Sequence, residues 1–302
     1  RRQKEEAEAN LRWQKQILQI AMSNVDQGIS LFNHDLRLVA CNSRFAELLG
    51  YPPSLATPGT PFADFIRFNA ARGDYGDGEV ETAIATRLER AREPTFHCYE
   101  RQGIGGLVLE VRGGPVADGG FIATYTDISE RKAMEIELKR LATIDGLTGI
   151  FNRRHFLDMM AMEVDRCRRH GLPMTLVLMD VDHFKAVNDR HGHQAGDDVL
   201  RSIGRICRDL GRKTDFFGRL GGEEFAAVLG GTDMDGALVL ANKLRAAIAA
   251  SQVVVGASTV SVTVSIGLAS YGEADTVHDL SALADLRLYR AKDNGRDRIV
   301  CH

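Results

Sequence analysis

Cysteine is scarce in this chain, and long apolar runs and an excess of positive charge are missing; each shortage removes a class of protein. The five cysteines, Cys41, Cys98, Cys167, Cys207 and Cys301, are scattered with no C-x-x-C pair. That excludes a zinc or disulfide framework and reads as reduced thiols in a cytoplasmic protein. No apolar run approaches the roughly 18–20 residues needed to span a bilayer, so no membrane contact is expected within this segment. The net charge of -3 argues against a broad nucleic-acid surface, which needs a basic excess. An initiator Met and a signal peptide are also missing; the chain opens on Arg1-Arg2-Gln3-Lys4-Glu5-Glu6 in a helical pattern. It reads as a piece of a longer protein, which leaves attachment to a membrane upstream open. What is present is 44% hydrophobic and 26% charged, the mix of a soluble globular protein with ample core. A length of 302 residues predicts about two domains.

The expected fold class is α+β. Residues 1–26 are charged and helix-prone, with Leu11, Leu18 and Val25 spaced by seven and Trp13, Ile17 and Ile20 beside them. They predict an entry helix, either a coiled coil or an amphipathic helix packed on its own domain. Residues 27–129 read as two strands around the Asn33-His34-Asp35 turn, a helix closed by Gly50, a loop rich in proline (Pro52, Pro53, Pro58, Pro61), a helix at 83–91, and three strands at 95–101, 106–112 and 120–127. That order, with Asn42-Ser43-Arg44-Phe45, Leu48-Leu49-Gly50-Tyr51 and the closing Asp127-Ile128-Ser129, resembles a PAS sensor domain. Residues 130–144 predict a helix whose Met134, Leu138 and Leu141 follow a four-then-three seam, the register of a coiled-coil linker. Residues 145–302 alternate strands and helices, including helices at 153–170, 236–251 and 278–293, a central strand at 174–179 and a strand at 260–268. An antiparallel sheet with helices on one face is the expected packing.

Gly221-Gly222-Glu223-Glu224-Phe225 sits between two strand-like runs. Paired glycines at a hairpin tip let backbone amides approach a ligand closely, and the carboxylates after them can hold a hard cation. The central strand ends in Asp180-Val181-Asp182, an acidic pair that is costly after an apolar run unless it is paired or metal-bound. Residues 180 and 182 face the same way, and pairing of that strand with the hairpin would bring Asp180 to Glu223. The chemistry such a site offers is metal-assisted phosphoryl or nucleotidyl transfer.

Residues 140–302 resemble the GGDEF domains, which act as diguanylate cyclases of nucleotidyl-cyclase palm (ferredoxin-like) architecture. The resemblance rests on Asp145-Gly146-Leu147-Thr148, Asn152-Arg153-Arg154, the run from Asp180 to Asp189, His191-Gly192-His193, Gly196-Asp197, the Gly221–Phe225 signature and Ala291–Arg296. It implies that Asp180, Glu223 and the Val181 carbonyl hold Mg2+ or Mn2+. It implies that Glu223, Glu224 and Lys185 act at the reacting centre, and that Asn188 and Asp197 read the guanine of GTP. It further implies that Phe184, Lys185, Gly221, Gly222, Lys292 and Arg296 surround the triphosphate. Asp182 is expected either at the metal or in a structural ion pair. Arg212-Lys213-Thr214-Asp215 is an R-x-x-D placed five residues before the signature, the offset of the family's inhibitory site for cyclic di-GMP. Three positions depart from the family. Glu223 replaces the commoner Asp, Arg287 stands where a small residue is usual, and Asp297 follows Arg296 where Asn is common, which is expected to weaken phosphate attraction locally.

The resemblance implies a homodimer with one GTP per domain, regulated by the sensor and by its product. A silent GTP- or cyclic di-GMP-binding module and a purely structural dimerisation unit are the rival readings. The sensor's ligand is not identified by the sequence. Asn42-Ser43-Arg44-Phe45 lacks the thiol of a flavin photosensor, and residues 52–68 contain no cysteine. His34 and His97 are the candidate haem ligands, set against the commoner surface histidine. An empty or small-molecule-binding sensor that mainly dimerises is the default expectation.

Overall fold

The computed structural model describes residues 2–75, 80–93, 95–117, 119–255 and 258–302. They form two compact units, Arg1–Ile136 and Glu137–His302.

The first unit opens with α1 (Arg2–Ser23), followed by β1 (Gly28–Phe32), β2 (Leu38–Cys41), α2 (Ser43–Leu49), α3 (Phe62–Ala71), α4 (Val80–Arg92), β3 (His97–Gln102), β4 (Val108–Pro115) and β5 (Phe121–Asp127). The five strands make one antiparallel sheet in the order β2-β1-β5-β4-β3. Asn42 holds its corner together. Its Oδ1 accepts from Ile29 N at 2.8 Å and Phe45 N at 3.0 Å, and its Nδ2 donates to Met22 O and Gln27 O. The Asn42–Phe45 tract is therefore a helix cap that ties α1, β1 and α2. The proline-rich loop hides α3, which starts at once after Pro61. Proline fits there because the first helical turn has no use for its missing N–H.

Helix α5 (Ser129–Thr143) begins on this sheet, where Ser129 Oγ accepts from Val108 N at 2.8 Å and Lys132 pairs with Glu100 at 2.8 Å. Its expected seam is solvent-facing: Met134, Leu138 and Leu141 are all exposed, Leu138 by 67%.

The second unit runs β6 (Phe151–Asn152), α6 (Arg153–His170), β7 (Met174–Val181), α7 (Phe184–His191), α8 (His193–Leu210), β8 (Asp215–Gly221), β9 (Glu224–Gly230), α9 (Met234–Ala250), β10 (Val253–Val255), β11 (Ser258–Val260), β12 (Val264–Ser270), α10 (Val277–Asp293) and β13 (Ile299–Val300). Six strands form one sheet in the order β13-β12-β7-β9-β8-β6. It is mixed, because β13 runs parallel to β12 and β6 parallel to β8.

Helices cover both faces of this sheet, which corrects the one-face expectation. Strand β7 is buried along its whole length. Val177, Met179 and Val181 pack with Val199 and Ile203 of α8 and Leu244 and Ile248 of α9. Met174, Leu176 and Leu178 pack with Phe156 and Met160 of α6 and Leu280 and Ala284 of α10. An apolar run without alternation is the sign of a strand covered on both sides. The strand expected at 260–268 is likewise divided. Val260 closes a separate two-stranded ribbon with β10, and β12 begins only at Val264. Thr263, between them, is turned to the Asp182 carboxylate.

Candidate active site

Strand parity sets the site. Asp180 continues the series 174, 176, 178, so its side chain emerges on the α10 face of the sheet. There Lys292, near the end of α10, pairs with it at 2.8 Å. Burial pushes the Asp180 carboxyl above the usual carboxylate range, and the Lys292 ammonium pulls against that shift. Glu224 lies directly opposite Asp180 in the β7–β9 register. The tip of the hairpin folds back on the end of β7, with Val181 N donating to Glu223 O at 3.3 Å. The register thus sets Asp180 opposite Glu224, while Glu223, the residue expected to meet Asp180, touches the strand end through its backbone at Val181. Gly222 makes the turn possible at φ 50, a left-handed conformation that favours glycine.

These residues fit a hard cation. Among the described residues no three carboxylate, imidazole or thiol side chains gather into a ready cage. Asp180, Glu223 and the Val181 carbonyl offer oxygens only, the donor type that magnesium or manganese takes.

Asp182 is structural, but not through an ion pair. Its Oδ2 accepts from Thr263 Oγ1 at 2.7 Å and from Asp297 N at 3.0 Å, and its Oδ1 accepts from Ser265 Oγ at 2.7 Å. It fixes the turn after α10 that carries Arg296, an exposed residue at φ 60. The Asp297 carboxylate is paired with Arg245 at 2.6 Å, so the expected loss of phosphate attraction has its own local counter-charge. Arg287, the other departure, is buried. It grips both Glu273 oxygens at 2.8 and 2.9 Å and donates to Leu268 O, bracing α10 against β12.

The chain leaves β7 through His183, at φ 55, and enters α7 with no side-chain cap. Phe184 is buried and Lys185 exposed at that end. An uncapped helix start offers amides to an anion, and Lys185 adds a cation beside them. Asn188, one turn further on, faces Gly196 of α8. A Cβ at Gly196 would lie 2.0 Å from Asn188 Oδ1 and 3.0 Å from Phe184 Cζ. The missing side chain therefore makes the niche in which the Asn188 carboxamide sits, and Asp197 follows directly after it.

A latch on the other face of the hairpin escapes sequence reasoning. Arg219 Nε and Nη2 both donate to Gly222 O, at 2.9 and 2.7 Å, and its Nη1 reaches Asp145 Oδ1 at 3.4 Å. The same Asp145 oxygen accepts from Thr148 N at 2.9 Å and Thr148 Oγ1 at 2.6 Å. Burial works to raise the Asp145 carboxyl, but the Thr148 hydrogen bonds and the Arg219 charge hold it below its ordinary value. Asn152, in the adjacent β6, donates to Ala142 O at the end of α5 at 2.9 Å. The Asp145–Thr148 spacing is the one sequence signal for this latch.

Arg212 and Asp215 form a closed turn, in which Arg212 N donates to Asp215 Oδ2 at 3.0 Å and Asp215 N donates to Arg212 O at 3.1 Å. Both line a cavity of about 180 Å³ between the end of α8 and α9.

The second unit is an α+β domain in which a mixed sheet, covered by helices on both faces, ends in an acidic strand terminus beside a glycine hairpin. The chain belongs to the GGDEF family: residues 142–298 match its profile, described as diguanylate cyclase, GGDEF domain, and residues 22–136 match a PAS fold. It is 38% identical over 255 residues to the response regulator PleD of Caulobacter vibrioides, covering 78% of this chain and 56% of the relative. It is 35% identical over 176 residues to the probable diguanylate cyclase DgcC of Escherichia coli, covering 58% of this chain and 46% of the relative. The chain thus spans about half the length of these curated relatives. Among solved structures, the coiled coil and GGDEF domain of DgcB from Caulobacter crescentus, in complex with c-di-GMP, is 30% identical with a TM-score of 0.53, over 57% of this chain and 93% of that one. Diguanylate cyclase SiaD from Pseudomonas aeruginosa, in complex with its activator SiaC, is 36% identical with a TM-score of 0.53, over 57% and 66%. No helix among the described residues is long and apolar enough to cross a membrane.

Proposed function

We propose that the chain is a diguanylate cyclase that joins two GTP into cyclic di-GMP and releases two pyrophosphates. The observation that supports this reading is the fold-back of the Gly222-Glu223 tip onto the end of β7, the strand end at which Asp180 is paired with Lys292. Asp180, Glu223 and the Val181 carbonyl would hold magnesium, which on binding supplies charge for the triphosphate and the leaving pyrophosphate. Asn188 and Asp197 bind the guanine edge, the acid accepting from N1 and the amino group, which adenine cannot match. The open amides of α7, with Lys185, Lys292 and Arg296, bind the phosphates. Glu223, with Glu224 beside it, takes the proton of the ribose 3′-hydroxyl. The 3′ oxygen then attacks the α-phosphorus of the other GTP, and the bond to pyrophosphate breaks.

One domain holds one GTP, so the reaction requires two domains facing each other. The exposed seam of α5 and the exposed Leu11, Trp13, Ile17, Leu18 and Ile20 of α1 support pairing of two chains through these helices. The sensor acts by changing that pairing. Arg212 and Asp215, beside their cavity, bind cyclic di-GMP as a brake, the arginine on phosphate or guanine and the acid on the guanine edge.

The test is incubation with GTP and magnesium, followed by assay of cyclic di-GMP and pyrophosphate. Product is expected from the native chain and none from Glu223→Ala. Native-level product from that variant, or none from the native chain in dimeric form, refutes the reading.

A further inference from the structure

The turn that carries Arg296 is strained. Gly295, Arg296 and Asp297 follow one another at φ 106, 60 and 44, three positive-φ residues in a row. Glycine takes such a conformation freely; an arginine keeps it only where the surroundings hold it there. The segment leaves α10 on one face of the sheet and enters β13 at the sheet edge, where Ile266 N donates to Arg298 O at 2.9 Å.

Three elements hold it. From α10, Ala291 O accepts from Arg296 N at 3.1 Å. From the end of β7, Asp182 Oδ2 accepts from Asp297 N at 3.0 Å. From α9, which packs on the opposite face to α10, Arg245 Nη1 donates to Asp297 O at 3.1 Å and to Asp297 Oδ1 at 2.6 Å. The N–H, the carbonyl and the carboxylate of Asp297 are thus all engaged, two of them by Arg245. The exposed Arg296 side chain makes no hydrogen bond or ion pair among the described residues, so its direction is set by its backbone.

The Asp297 charge also needs an answer. Asn and Asp are the side chains that best tolerate left-handed backbone, and of the two only Asp brings a negative charge to the turn. Arg245 is its cation partner among the described residues. The two side chains are 31% and 43% exposed, and an exposed pair contributes little to stability. What it contributes here is aim.

We infer that Arg245 is a positioning residue for GTP. It holds the strained Arg296–Asp297 turn from α9 and neutralises Asp297, so that Arg296 meets the triphosphate and Asp297 does not repel it. The inference rests on the reading in which Arg296 binds the phosphates.

Isothermal titration of the full chain with the α,β-methylene analogue of GTP and magnesium, beside GTP Michaelis constants and a thermal melt, tests this. Arg245→Met is expected to weaken analogue binding and raise the Michaelis constant about tenfold, with turnover at saturation and the melting temperature nearly unchanged. Adding Asp297→Asn should recover most of that loss, because the uncharged amide fits the same turn and needs no counter-charge. A contact that only stabilised the fold would lower the melting temperature and would not be rescued this way. Arg296→Met is the reference and should weaken analogue binding at least as much. Weakened binding in Arg296→Met with unchanged binding in Arg245→Met overturns the inference alone. Unchanged binding in both overturns the phosphate role of Arg296 as well. A loss in Arg245→Met that Asp297→Asn does not recover also overturns the inference.

Discussion

Replacing Gly196 by alanine should separate substrate recognition from stability. Its added Cβ would fall 2.0 Å from Asn188 Oδ1, well inside any ordinary contact, and 3.0 Å from Phe184 Cζ. The atom in the way is the far end of a flexible side chain, so the carboxamide swings aside and helix α8 stays in place. Alanine is about 1 kcal/mol better than glycine in a helix interior, which offsets the few tenths of an ångström asked of Phe184. The melting temperature should therefore hold or rise slightly. Recognition of GTP should not. A hydrogen bond between a side chain and a base edge is worth about 1–3 kcal/mol, so the Michaelis constant for GTP should rise roughly 10–100-fold. Discrimination between GTP and ATP should fall by a similar factor. The assay is pyrophosphate release over a GTP titration, run beside a thermal melt and an ATP competition. An unchanged GTP Michaelis constant in a folded Gly196→Ala variant would refute the assignment of Asn188 to the base. A collapse in stability would refute the account of the niche.

Three further outcomes follow from contacts described above. Arg219→Met should lower turnover on the order of 10–100-fold with little change in GTP affinity, because it frees the Gly222 carbonyl and lets the tip drift; single-turnover kinetics beside GTP binding separates the two effects. Asp145→Asn should destabilise the second unit at neutral pH. Its carboxyl is depressed in the folded state, so its contribution is present above the unfolded carboxyl value of about 3.9 and is lost as pH falls through the lower folded value. Denaturant midpoints of the native chain and the variant should therefore converge in acid, and a gap that stays constant from neutral pH to acid would contradict the latch. Arg287→Ala should cost about 1–2 kcal/mol of stability, since it takes the Arg287 donor from the buried Leu268 carbonyl and frees Glu273 to solvent, and urea unfolding reads that directly.

The acidic end of β7 and the glycine hairpin were legible because each breaks a local rule. A carboxylate ending a fully apolar strand is costly unless something binds it, and two carboxylates after paired glycines set anionic oxygens beside open backbone amides. The helices on both faces were also written in the unbroken burial of β7, which one-face packing does not require. Helix α3 was hidden because prolines usually mark loops, while Pro61 marks a helix start. Arg219 left no trace because its acceptor is a backbone carbonyl, and carbonyls are the same at every position. Gly196 was visible as part of a motif, but its reason, an amide seated where a methyl would be, is a matter of distance.

Asp182 has a consequence for how the domain comes into being. Its carboxylate joins Ser265 and Thr263 to the main chain of Asp297, 115 positions further along. Lys292, in the same late stretch, neutralises Asp180. During synthesis the hairpin and β7 emerge with their charges uncompensated, and the cations that match them come last. A chain halted before residue 292 would carry the whole signature and still lack the cation that pairs with Asp180.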